Sequence, residues 1–179
     1  MELGKLSGSD YFHLLIDRKI KRFGLAGNIS RVHFQLDSST NLESFVHSFK
    51  ENSWLKNASQ IQYKLSWPFL PKWIRVKSQG PRIILSKPIT QSDFESQILN
   101  RMVDNEQRLV CVDLCAFEDD SKHVVISMHH ALFDHQGMMN FIVALNAKSS
   151  NVKPLIQAIM IGQYSNKGFA FSTDGYSIK

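Results

Sequence analysis

Cysteine is nearly absent. Cys111 and Cys115 are the only two in 179 residues, and four positions apart on a strand they would stand roughly 13 Å from each other, too far to bridge. A disulfide framework is excluded, and the pair is expected to act as small buried hydrophobes in a reducing compartment. Long apolar runs are also missing. None approaches the span of a bilayer, and the first residues, Met1–Gly8, lack the basic-then-apolar order of a leader. The chain is therefore expected in the cytoplasm, with no transmembrane segment. Charge of neither sign dominates: 21 Lys and Arg face 16 Asp and Glu, a net +5. The basic residues are scattered except for Arg18-Lys19-Ile20-Lys21-Arg22. That cluster reads as the last turn of a helix stopped at Gly24, where cations complement the carbonyl end. Its alternative is a docking patch for phosphates, an acidic carrier protein or an anionic surface. No nucleic-acid-binding motif accompanies it, so nucleic acid is not an expected partner.

What is present is one core's worth of apolar residues, 43% of the chain, with no repeat or low-complexity block. Ser7 and Asp10 have capping-box spacing and open a helix carrying Tyr11, Phe12, Leu14 and Leu15. Residues 28–37 alternate as a half-buried strand, with Val32, Phe34 and Leu36 inward and His33 outward. Thr40 and Glu43 repeat the capping spacing ahead of a helix bearing Leu42, Phe45, Val46 and Phe49 on one face, and His47 falls off that face. Residues 62–67 and 73–77 read as strands joined by Pro68-Phe69-Leu70-Pro71; Trp67, Phe69 and Trp73 there are core or rim, or else the lining of an acyl pocket. Residues 82–86 read as a short strand, and Ser92 with Glu95 caps a helix through Met102. Residues 108–117 and 122–130 form an antiparallel hairpin around Glu118-Asp119-Asp120-Ser121. The second strand is apolar on both faces and belongs in the middle of its sheet, with His123 solvent-facing at its start. Met138, Phe141, Ile142 and Leu145 return to helical spacing. The expected class is α+β, a mixed or antiparallel sheet flanked by helices.

The chemistry gathers at the end of that strand, in His129-His130-Ala131-Leu132-Phe133-Asp134-His135-Gln136-Gly137. A buried strand that ends in two histidines and turns through an aspartate into a helix delivers an imidazole to the edge of a packed core. Near neutral pH such a ring can take a proton from an attacking hydroxyl or amine. Metal is the rival use of three imidazoles and a carboxylate in seven residues. The stretch resembles in part the His-x-His-x-Asp-His run of metallo-β-lactamase-like hydrolases, but Leu132 stands where the second histidine is needed and no histidine follows position 135. No metal is expected.

The string resembles the His-His-x-x-x-Asp-Gly signature of the chloramphenicol-acetyltransferase-like superfamily, which includes condensation domains of peptide synthetases and wax ester and diacylglycerol acyltransferases. The resemblance implies that His130 is the general base and that Asp134 is structural, held by a basic partner. His129, Gly137 and His135 belong to the same motif, His135 standing where the family has glycine. Lys56, in Glu51-Asn52-Ser53-Trp54-Leu55-Lys56-Asn57, falls where the family commonly places the arginine that pairs with the aspartate; lysine lacks its bidentate fork.

The order of elements is similar to the family's N-terminal subdomain, so residues 1–147 are expected to form that subdomain and 148–179 a short extension or tail. Full-length members are more than twice as long and place the active site between two subdomains. The implied reaction is direct acyl transfer to an alcohol or amine from the thioester of coenzyme A or a carrier protein's phosphopantetheine arm, a co-substrate rather than a bound cofactor. It implies a second subunit or a homodimer to complete the channel. The alternative is a non-catalytic remnant or binding module of the same fold. Either one predicts an exposed apolar face where a second half would dock.

Overall fold

The computed structural model describes residues 2–66, 69–77, 81–85, 89–99, 101, 108–133, 137–138 and 159–160. The sequence opens with a short strand, β1 (Glu2–Lys5), which the residue pattern did not announce, and then α1 (Gly8–Arg22). Ser7 caps α1 as expected: its hydroxyl accepts from the Asp10 N–H while the Asp10 carboxylate accepts from the Ser7 N–H. The helix ends with Lys19, Lys21 and Arg22 in its last turn and Gly24 at φ +74°, the left-handed closure expected of the basic cluster.

A five-stranded sheet follows, built from β2 (Ile29–Leu36), β5 (Arg82–Leu85), β6 (Val110–Ala116), β7 (Lys122–His129) and β8 (Ile159–Met160), in the order β5-β6-β7-β2-β8. Only β5 runs parallel to its neighbour; the β6–β7 hairpin and the β7–β2 ladder are antiparallel. The apolar β7 therefore lies in the middle, as its composition requires. The hairpin turn is fixed by Asp119, whose carboxylate accepts from the backbone and hydroxyl of Ser121, and by Asp120 at φ +63°. A second, three-stranded antiparallel sheet places β1 and β3 (Ile61–Ser66) on either side of β4 (Phe69–Arg75). β4 starts earlier than the aromatic pattern suggests, its Phe69 pairing with Ser66 of β3.

Alternation within the large sheet separates two faces. Val32, Phe34, Val110, Val112, Leu114, Val124, Ile126 and Met128 form the main core with Phe49 of α2 (Leu42–Glu51) and Leu55 and Ala58 of α3 (Ser53–Ser59). Here α3 is a helix that sequence reading missed; Asn52 caps it by accepting from the Leu55 N–H, and its Leu55 is fully buried. Asn41, not Thr40, caps α2: its side chain takes the N–H groups of both Glu43 and Ser44, while the Thr40 carbonyl accepts from Lys122. The opposite face carries Val125 and Cys115 under Phe94, Ile98 and Leu99. These three belong to the π-helical turn (Phe94–Leu99) that continues α4 (Gln91–Asp93). Thr90 and Asp93, rather than Ser92 and Glu95, make that capping box.

Two histidines expected at the surface are half-buried. His33 and His123 face the same side of the sheet, their Nε2 and Nδ1 2.7 Å apart and both rings against Phe94. Burial, and then the neighbouring His123, depress the His33 pKa to about 4. Conversely, Tyr11, Phe12 and Leu15 of α1 are 45%, 58% and 48% exposed, because the helix turns Leu14 and Asp17 toward the sheet. Cys111 and Cys115 are free and buried as expected.

Candidate active site

β7 ends at His129, and the chain turns immediately. The Leu132 N–H returns to the His129 carbonyl, Leu132 and Phe133 fold back on the main core, and Met138 is buried in it. This anchoring fixes two adjacent imidazoles in opposite environments. His129 points into the polar face of the sheet and is fully buried. Its Nδ1 accepts from the Ala131 N–H at 3.1 Å, so its proton sits on Nε2, 3.3 Å from Asp17 Oδ1. That approach is electrostatic rather than a well-aligned hydrogen bond, since Nε2 lies off the bonding direction.

Asp17 is 3% exposed and holds three partners. Oδ1 accepts from the Asn28 N–H at 2.8 Å, Oδ2 meets Lys21 Nζ at 2.8 Å, and His129 completes the set. Burial pushes the carboxyl up, but the approach of His129, the Lys21 ammonium and the Asn28 N–H outweigh it and hold the group below the usual carboxylate range. Gly27 makes this possible. Its φ is +104°, and a Cβ there would collide with Asp17 Oδ1 and Lys21 Cε.

His130 is half-buried and turned the other way. Its Nδ1 lies 2.9 Å from the Phe133 carbonyl, which can only accept, so the proton is on Nδ1 and Nε2 carries the lone pair. Its own N–H donates to the Asn28 carbonyl. Against it, centroid to centroid at 4.4 Å, stands the ring of His13 from α1. The His13 pKa is lowered first by burial and then by the neighbouring His130 and His129 imidazoles.

Beside the motif loop opens a cavity of about 290 Å³, lined by Leu3, Asp10, Ile61, Trp73, Ala131 and Leu132. The small sheet thus supplies one wall, α1 another and the motif loop a third. Trp73 Nε1 donates to Asp10 Oδ2 at 3.1 Å, tying the helix cap to the cavity wall. Of the aromatic residues considered for a pocket, Trp73 lines one, while Trp67 lies outside the described residues.

Among the other motif positions, Asp134 and His135 lie outside the described residues, and Gly137 is half-buried in a helical segment with Met138. Lys56 is exposed on α3. Sequence reading missed His13, Asp17, Gly27 and Asn28. The signal was there in His13, Asp17 and Lys21, a polar series spaced four and four along a helix, which places all three on one face. No group of three or more potential metal-ligating residues occurs among the described residues.

The architecture matches solved structures well beyond chance. The complex of the X-domain and OxyB from teicoplanin biosynthesis contains a chain that superposes with a TM-score of 0.62 at 12% identity, over 79% of this chain and 31% of that one. The fold is that of the condensation-domain proteins. A wax ester synthase/diacylglycerol acyltransferase from Marinobacter aquaeolei VT8 gives 0.59 at 12% identity, over 79% and 36%. A variant of the starter condensation domain of rhizomide synthetase, in complex with C8-CoA, gives 0.53 at 11% identity, over 71% and 31%. The chain spans about a third of the length of each. No protein-family model and no curated protein matches it. No helix among the described residues is long and apolar enough to cross a membrane.

Proposed function

We propose that this chain is an acyl-transfer subdomain of condensation type, in which His130 is the general base. The observation that carries the reading is the tautomer of His130: Nδ1–H is committed to the Phe133 carbonyl, leaving the Nε2 lone pair as the ring's one basic site. In the proposed reaction, Nε2 takes the proton of an alcohol or amine as its oxygen or nitrogen attacks a thioester carbonyl. The thiolate then leaves and recovers that proton. Because Nδ1–H stays on the same carbonyl throughout, the ring does not turn during the cycle. His129 and Asp17 position the strand end, and Asp134, His135, Gly137 and Lys56 are assigned to motif support. The donor is the thioester of coenzyme A or of a phosphopantetheine arm, in keeping with the C8-CoA held by one structural neighbour. Residues 1–147 make up the subdomain, and a second subunit or second copy completes the channel.

The test is thiol release from octanoyl-CoA in the presence of primary alcohols and amines, with any co-purifying partner retained. His130→Ala should abolish release while leaving the far-UV spectrum unchanged; equal turnover in that variant would remove the base from the mechanism. A second reading is a non-catalytic binding module of the same fold. It predicts a stoichiometric complex with no thiol release.

A further inference from the structure

His13 does more than fill space beside His130. The side-chain nitrogen of Asn28 lies 3.1 Å from His13 Nδ1 and 3.2 Å from the His13 carbonyl oxygen. The carbonyl can only accept, so the amide nitrogen, not its oxygen, faces His13. Nδ1 must then accept as well, and the proton of His13 is on Nε2. The two adjoining rings therefore have complementary tautomers: His130 Nε2 is an acceptor, and His13 Nε2–H is a donor. Among the described residues no group hydrogen-bonds to either Nε2. Both rings are only half-buried, and their centroids are 4.4 Å apart at an interplanar angle of 50°. A base and a hydrogen-bond donor, each fixed through its other nitrogen, stand side by side at the motif loop.

We infer that His13 is a second catalytic imidazole, donating the Nε2–H hydrogen bond that stabilises the oxyanion of the acyl-transfer intermediate. This rests on the assignment of His130 as the base. As the acceptor oxygen or nitrogen bonds to the thioester carbon, its proton passes to His130 Nε2 and the carbonyl electron pair moves onto oxygen. His13 Nε2–H hydrogen-bonds to that oxygen without transferring its proton. The carbonyl re-forms, the C–S bond breaks, and the thiolate takes the proton from His130. Both rings end as they began. The lowered His13 pKa agrees with a ring that stays neutral, and a donor fixed beforehand needs no reorganisation as charge develops.

Two measurements on the full chain decide it. Nitrogen-15 NMR of the labelled protein at neutral pH should show His13 protonated on Nε2 and His130 on Nδ1; the opposite tautomer on His13 overturns the inference whatever the activity. In the octanoyl-CoA assay, His13→Ala should lower kcat by about 10²-fold at unchanged KM, and His13→Gln, which restores an N–H donor, should recover part of that loss. Wild-type kcat in both His13 variants, with His130→Ala inactive, overturns the donor and leaves the base in place. Undiminished release in His130→Ala, or no release by the wild-type chain, removes both.

Discussion

The two faces of the large sheet are equally buried and differently made. On one, the buried residues that β2, β6 and β7 present to α2 and α3 are Val, Ile, Leu, Phe and Met. On the other, the same three strands present Arg31, Asp113, Ser127 and His129, each no more than 3% exposed. Asp113 pairs with Arg101, whose carbonyl accepts from Arg31. Burial pushes the Arg31 guanidinium down to about 10 and the Asp113 carboxyl up, against the attraction between them. The apolar face contributes net stability through area removed from water. The polar face has large opposing terms, and what it secures is position: its end residue, His129, hands the chain over to His130.

Breaking the polar face at its centre should cost most. Asp113→Ala leaves Arg31 and Arg101 without their carboxylate, and urea unfolding should show a loss of roughly 3–5 kcal/mol. Leu114→Ala, the next residue and on the other face, should cost about 3 kcal/mol through its cavity; a larger loss there than at Asp113 would reverse the contrast. Acid should act on the polar face alone. His33 has its folded pKa lowered from 6.5 to about 4, so the unfolded chain binds more protons between those values. The stability it contributes is complete above pH 6.5 and lost as pH falls toward 4, up to roughly 3 kcal/mol. Removing the ring in His33→Leu should flatten that part of the pH profile. Gly27→Ala should cost about 2 kcal/mol, since it strains the backbone and displaces Asp17. Its effect should appear as lost protection of the Asn28 amide before any change at Leu114.

The apolar face was legible from the sequence because alternation and composition agree on it. Val32, Phe34 and Leu36 alternate, and β7 has apolar residues in both registers, so its central place followed directly. The polar face was not legible. His33 and His123 read as outward because a histidine in an alternating strand usually faces water, and what buries them is Phe94, which a capping box and a π-helical turn some sixty residues after His33 in the chain bring overhead. Local capping was misplaced by one or two residues at Thr40 and Ser92, where a neighbouring Asn41 or Thr90 offered better geometry. At the candidate site the motif pair was visible as a string. The partners of that pair, His13 and Asp17, come from a helix more than a hundred residues earlier, and only the fold joins them. The exposed Tyr11, Phe12 and Leu15 follow from the same choice of helix face.

Asn28 makes all four of the hydrogen bonds that tie α1 to the imidazole pair: its N–H goes to Asp17, its side-chain amide to both the ring and the carbonyl of His13, and its carbonyl takes the His130 N–H. Helix and strand end are thus both indexed to one residue, beside the direct approach of Asp17 to His129. A slide of α1 along the sheet would pull Asp17 and His13 from Asn28 and free the His13 ring from its tautomer, while His130 keeps its own on the Phe133 carbonyl. The spacing between base and donor is set by one residue's bond lengths, and the amides of Asn28 and His130 should open to solvent in one event, at one rate.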